Sequence, residues 1–453
     1  MLIRNAELPG GSVADLRIAA DRIGEIGANL TALPDDRVVD AEGAMLCPGL
    51  HDHHIHLLAY AAALDSLVCG PPAVREEAAL ASALEAVAKG AGWLRGVGYH
   101  DSVAGPIDRR WLDRQIPGRP VRIQHRSGRL WIINSAGLAE LAAQGDLGPA
   151  EMMGDEPTGR FYDADGWLKG RLGGVAPDLT RASRRLASYG ITGVTDATPR
   201  NGPGEEAMLD DASFRGALLQ RVLLMGGEGL EGPRKLHLHE YDLPPLDAVV
   251  DTIRRSHAAG RTVAAHCVTR TELGFILAAL ADAGARPGDR IEHCGVCPPE
   301  FRDEISRLGL TVVTQPNFVA EKGDDYLAEV DADDQPWLYP AASLLSAGVR
   351  LAAGSDAPFG DPDPWAAMQA ATTRRTRSGA VLLPDEAITP ERALALFTTP
   401  LGDPGGAARQ LRPGGEADLC LIDRPWAAAR EDLSQVRVRL TLVRGRVVWE
   451  QDA

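Results

Sequence analysis

From about residue 190 to residue 360, short apolar runs alternate with stretches of helical period, and this alternation restricts the fold more than any other feature. Strands are expected over Ile191 to Ala197, Arg234 to Glu240, Arg261 to Cys267, Arg290 to Gly295, Leu310 to Phe318 and Val349 to Asp356. Leu246 to Ala259 carries apolar residues at helical spacing, and Thr269-Arg270-Thr271-Glu272 is a capping box opening Leu273 to Ala283. Pro298-Pro299 and Thr389-Pro390 start two further helices. Repeated strand and helix of this kind builds a parallel sheet, and the expected fold class is α/β, a (β/α)8 TIM barrel spanning residues 51–399. Such a barrel needs about 250 residues, and this span exceeds that by about 100. The surplus predicts an insertion after the first strand, at about residues 60–175. There Trp93, Gly96, Gly98, Trp111, Trp131 and Trp167 mark an irregular stretch without clean βα alternation.

Both ends of the chain read differently. Leu16 to Ile26 alternates and breaks at Ala20-Asp21, the pattern of a hairpin; Ala417 to Asp423 is an apolar run, and Val436 to Glu450 alternates around Arg444-Gly445. Residues 1–50 and 400–453 are therefore expected to pair into one small β-sandwich domain.

Composition narrows the partners. With 47 basic against 63 acidic residues the net charge is -16, which argues against nucleic acid, because phosphate neutralisation needs a basic face. No apolar run reaches the roughly 20 residues of a membrane helix, and Met1-Leu2-Ile3-Arg4 does not begin a secretory signal, so no membrane partner and a cytoplasmic location are expected. The six cysteines are scattered and are expected as reduced thiols rather than as a zinc ribbon or disulfide framework. What remains is a small-molecule substrate, with a homodimer compatible with this reading.

Chemistry is concentrated at Pro48-Gly49-Leu50-His51-Asp52-His53-His54-Ile55-His56. On a strand, Asp52, His54 and His56 share one face while His51 and His53 share the other. Either His-x-His pair has the spacing to grip a divalent ion. Further on, His266, His293 and Asp356 each end an expected strand, and Lys235 lies in another. The steps are 31 residues from Lys235 to His266, 27 to His293, 22 to Gln315 and 41 to Asp356, each about one βα unit. On a barrel such side chains converge at the C-terminal rim. Lysine is scarce here: only residues 89, 169, 235 and 322 are lysines.

These residues resemble the amidohydrolase superfamily, in particular its amidohydrolase-3 branch with the YtcJ-like proteins and formamide deformylases. The resemblance covers nearly the whole chain. It rests on residues 48 to 56 and on Arg290-Ile291-Glu292-His293. Supporting it are Gly98-Tyr99-His100-Asp101, the block Pro120 to Asn134, Thr192 to Asp196, Gly354-Ser355-Asp356-Ala357-Pro358 and Pro413 to Leu419. It favours His54 and His56 over His51 and His53. It implies a metal-dependent hydrolase of a non-peptide C–N bond, in a linear N-acyl or N-formyl amide or a cyclic amide. His54 and His56 would bind one ion and His266 and His293 a second, two zinc ions per chain, with Lys235 carboxylated by CO2 and bridging them. Asp356 would sit on the first ion as general acid and base. His100, His125, Arg129, Trp131, His239 and Gln315 are the expected substrate contacts, with His237, Asn317 and Asp361 nearby and Arg126 in the same insertion. Branch members often carry histidine near Arg129, where arginine would instead accept a carboxylate. Cys267 and Cys294 are expected to face the core, and Glu292 to be a partner on the barrel exterior. The alternatives are an aminohydrolase working with one metal, and a non-catalytic binding protein on the same scaffold.

Overall fold

The computed structural model describes residues 1–172 and 177–451; residues 173–176 and 452–453, which include the end of the expected insertion and of the C-terminal segment, lie outside them. The chain divides into two compact units, Met1–Leu57 with Leu179–Ala453, and Leu58–Asp178.

The first unit contains eight parallel strands: β1 (Leu50–Ile55), β2 (Ile191–Asp196), β3 (Arg221–Leu224), β4 (Arg234–Leu236), β5 (Val263–Cys267), β6 (Arg290–His293), β7 (Thr311–Thr314) and β8 (Arg350–Ala353). They form two arcs, β3-β2-β1 and β4 to β8 in sequence order. Backbone hydrogen bonds close the arcs into a ring. The Lys235 amide donates to the Gly226 carbonyl at 3.1 Å, the Asp356 amide to His54 at 2.7 Å, and the His56 amide to Ala357 at 2.9 Å. The second seam is tight: a Cβ on Gly354 would lie 2.3 Å from the His54 amide nitrogen, so only glycine lets the ends of β8 and β1 meet. Every residue of β1, β2 and β7 is buried, as parallel strands covered on both faces require.

Several strands stop earlier than the sequence pattern suggests. β4 ends at Leu236, and His237 to His239 leave the ladder before a short 3-10 turn, Glu240–Asp242. β7 ends at Thr314 because Pro316 takes helical angles and opens the helix Asn317–Glu329. β3 escaped the sequence pattern altogether. It has four residues, all half-buried, and is joined to β4 by the irregular segment 225–233 instead of a helix.

The terminal segments form two four-stranded sheets. One holds Leu2–Glu7, Val13–Ala19, Arg22–Gly27 and Val38–Asp40; the other holds Leu46–Pro48, Leu419–Ile422, Val438–Val443 and Arg446–Glu450. Leu16 and Ile23 from the first pack with Leu46, Leu421 and Leu440 from the second in one core.

The second unit is more ordered than the expected irregular stretch. It carries a six-stranded mixed sheet from Leu67–Val68 to Glu156–Tyr162, with Leu80, Trp111, Ile123 and Ile132 in its core. Its strands are short, and left-handed glycines such as Gly98 and Gly159 interrupt the alternation by which a strand is read. All six cysteines are free and buried, and no helix among the described residues is long and apolar enough to cross a membrane.

Candidate metal centre

At the end of β1 the inward face turns His54 and His56 toward Asp356, which follows β8. Asp356 Oδ1 is 3.4 Å from His54 Nε2 and 3.1 Å from His56 Nε2. One ligand atom from each of the three residues lies within 4.8 Å of the others. The far nitrogen of each ring is held: His54 Nδ1 donates to the Glu292 carboxylate and His56 Nδ1 to the Thr198 hydroxyl at 2.9 Å. A ring that donates through Nδ1 keeps the Nε2 lone pair for a metal. His51 and His53 face the other way. His51 Nδ1 donates to the Thr399 carbonyl at 2.8 Å, and His53 Nε2 lies 2.9 Å from the Thr399 hydroxyl. The two histidine pairs thus differ in what stands opposite each.

Asp52 shares the inward face but serves the backbone. Its carboxylate accepts from the Ser355 amide at 3.0 Å, the Ser355 hydroxyl at 2.6 Å and the His54 amide at 3.1 Å, tying β1 to the residue before Asp356. Burial raises its pKa to about 6 against those hydrogen bonds.

On β6, strict alternation would put Glu292 and His293 on opposite faces, and Glu292 was expected outside. Instead Glu292 is fully buried, accepting from His54 and lying 2.6 Å from Arg290 Nε. His293 also reaches the site, because its φ of 69° is left-handed and swings the side chain off the strand's period. Asp356 has the same conformation, with φ 56°. Two non-glycine residues held in the left-handed region at one site is strain of the kind found where side-chain direction matters more than backbone comfort. The His293 ring lies between those of His54, tilted with centroids 4.7 Å apart, and His266, edge-on at 4.6 Å. Its Nδ1 donates to Gln315 at 2.7 Å. Gln315, expected at substrate, is completely buried behind His293 and orients it.

Lys235 points into the same interior. It is buried, its Nζ has no hydrogen-bond partner, and burial lowers its pKa. A lysine snorkelling its charge to solvent is excluded by that burial. Burial likewise lowers the pKa of His293, to about 3, with the neighbouring His54 as the next cause, and holds that of His266 well below the usual range. On His54, burial and Lys235 oppose the charge, but Glu292 and Asp356 outweigh them and raise its pKa. For Asp356, His54 and His56 outweigh burial and hold the carboxyl well below the usual range. Asp356 Oδ1 is buried and makes no well-formed hydrogen bond although two imidazole nitrogens face it. Imidazoles with a nitrogen turned inward, an ionised carboxylate and an unpartnered amine in one interior form a donor set suited to a divalent cation.

The remaining expected residues are distributed unevenly. His237 and His239 were to share the face of Lys235 on a regular strand; although the strand ends first, His237 lies edge-on to His266 at 4.6 Å, and His239 stacks on Tyr241 at 5.3 Å. The Asn317 amide donates to the Ser355 carbonyl at 2.9 Å, while Asp361 is held through its backbone amide by Glu321 at 3.0 Å. His100, His125, Arg129 and Trp131 belong to the second unit. His100 caps the helix Asp101–Ala104, and its ring is 5.7 Å from that of His125. Arg129 grips Asp163 with two nitrogens, at 2.8 and 2.5 Å, so its fork already holds a carboxylate. Trp131, expected at substrate, is instead buried between the guanidinium groups of Arg95 and Arg122, with its indole N–H donating to Asp165 at 3.0 Å. Its size and rarity drew attention to it, but in the fold it supplies core. Sequence reasoning missed Glu292, Thr198 and Thr399. Only Glu292 left a signal: Arg290 and Glu292 put two charges on one face of a core strand.

Comparison with known proteins identifies a family. The profile of the amidohydrolase family matches residues 37–449. An N-substituted formamide deformylase of Arthrobacter pascens is 24% identical, over 99% of this chain and 97% of its own length. A putative amidohydrolase of Bacillus subtilis, YtcJ, is 23% identical over 92% of this chain and 91% of its own. Among solved structures, an uncharacterised metal-dependent hydrolase of Pyrococcus horikoshii superposes with a TM-score of 0.75 at 19% identity, covering 95% of this chain and 98% of that one.

Proposed function

Because this chain belongs to the amidohydrolase family, metal-dependent hydrolases of non-peptide C–N bonds, we propose that it hydrolyses a linear N-acyl or N-formyl amide or a cyclic amide. The observation that carries the reading is the meeting of His54, His56 and Asp356 within 4.8 Å, beside a buried lysine amine without a partner. His54, His56 and Asp356 would hold one zinc ion, and His266 with His293 a second. Lys235, carboxylated by CO2, would span both. The neutral amine that burial favours is the form that attacks CO2: an N–C bond forms, a proton leaves the nitrogen, and the resulting carbamate is a two-oxygen anion. A bound divalent cation supplies Lewis acidity, polarising a carbonyl and lowering the pKa of water toward neutrality.

The chain's own residues then have separate duties. Asp356 takes a proton from the attacking water at Oδ1 and delivers it to the leaving nitrogen. Glu292, Thr198 and Gln315 fix the three imidazoles with Nε2 turned to the site. The left-handed backbone at His293 and Asp356 aims both side chains before substrate arrives.

Metal analysis of the purified protein, combined with a panel of formamides, N-acyl amides and cyclic amides, tests this. Two ions per chain, a carbamate carbon signal after 13CO2 labelling, and amide turnover are expected. A metal-loaded protein inert toward the whole panel would overturn the catalytic reading and favour a binding protein. The aminohydrolase alternative draws support from one observation: among the described residues a group of three donors forms at one position only. One ion, an unmodified Lys235 and release of ammonia from an aromatic or cyclic amine would decide for it.

A further inference from the structure

The connection from β3 to β4 lacks a helix, and the gap this leaves in the helical layer is a cavity of about 520 Å3, within the range of small-molecule sites. One wall is the segment Glu228–Glu231. The other is the last turns of the helix Leu246–Ala258, with Arg255, and Arg234 and Arg261 also line the space. Elsewhere on this chain arginines find carboxylates: Arg129 with Asp163, Arg221 with Asp418, Arg350 with Asp403. None of the three cavity arginines has such a partner among the described residues. Arg261 donates to the Gly232 and Gly227 carbonyls, both at 2.7 Å, which pins the 225–233 segment but neutralises no charge. Arg255 donates only to the Thr252 hydroxyl at 2.9 Å. The Arg234 side chain makes no hydrogen bond, and its Nε is buried. Burial and the neighbouring Arg234 lower the pKa of Arg261, and the Glu228 carboxylate only partly opposes them.

We propose that this cavity binds a small organic anion through Arg234 and Arg255. The guanidinium fork matches the oxygens of a carboxylate or a phosphate, and hydrogen bonds to charged acceptors are the strong ones. The volume exceeds that of a bare phosphate, so the ligand carries an organic body. Glu228 and Glu231 line the same space and disfavour extended polyanions.

Calorimetric titration of the metal-loaded protein with inorganic phosphate and, separately, with malonate, at constant ionic strength, tests the assignment. Saturable binding of one anion per chain is expected. Arg234→Gln should weaken it about tenfold or more. Arg255→Gln, on an exposed helical turn where folding is not at stake, should weaken it in the same direction. Tighter phosphate points to a phosphoester ligand and tighter malonate to a carboxylate, and either supports the site. Absence of saturable binding for both probes overturns the proposal. So does affinity unchanged in both variants, the result expected if the anion sits at the metal centre instead.

Discussion

The two faces of β1 carry the same residue type and reach opposite ends. On the outward face His51 and His53 are buried and engaged by the carbonyl and hydroxyl of Thr399; on the inward face the buried His54 and the partly exposed His56 turn a nitrogen each toward an ionised carboxylate. Burial alone does not separate a structural histidine from a ligand. What separates them is what stands before the second ring nitrogen: His51 Nε2 and His53 Nδ1 are buried without a partner, whereas Nε2 of His54 and of His56 faces a carboxylate oxygen. By that criterion His53, whose pKa burial lowers to about 3, is a packed neutral ring, and His54 is a candidate ligand.

The contrast can be broken by exchange. Replacing His54 and His56 together by Ala should remove bound metal and reduce turnover below detection, read by metal analysis and amide hydrolysis; metal retained at full stoichiometry would mean that the inward face is not the ligand face. Asp356→Asn should lower kcat about a thousandfold, the scale of a lost general acid and base, while most of the metal stays. Full activity in that variant would remove Asp356 from the mechanism.

Smaller effects sharpen the picture. Glu292→Gln keeps the shape but weakens the acceptor behind His54, and metal affinity measured by chelator competition should fall about 10–100-fold. An unchanged affinity would reduce Glu292 to a counter-ion for Arg290. On the outward face Thr399→Val removes the hydroxyl beside His53. It should cost about 1–3 kcal/mol in urea unfolding, the price of a buried group left unpaired, with metal content unaltered. Loss of metal in this variant would show that the two faces are not independent.

Much of this was legible in the chain. The βα repeat, the hairpin around Ala20-Asp21, the capping box at Thr269 and the turn at Arg444-Gly445 all follow local rules, and each is found where its residues indicate. The residues of the candidate site were legible as well, because a polar residue ending an apolar strand stands out. Less legible was anything depending on φ at one residue. Reading Glu292 as exterior assumed a regular strand through His293, and the left-handed turn there invalidates the assumption. Trp131 and Gln315 were candidates for the surface of a site and proved to be core and support.

By itself the sequence determined which segments become strands and helices, since hydrophobic period and capping act over a few residues. It also determined which donors are available for a metal. Only the tertiary structure decided which histidine pair meets Asp356, that Glu292 stands behind His54, and that a missing helix leaves three arginines around one cavity. Those relations join residues separated by tens to hundreds of positions, and they are set by closure of the ring and by single backbone dihedrals that no local pattern encodes.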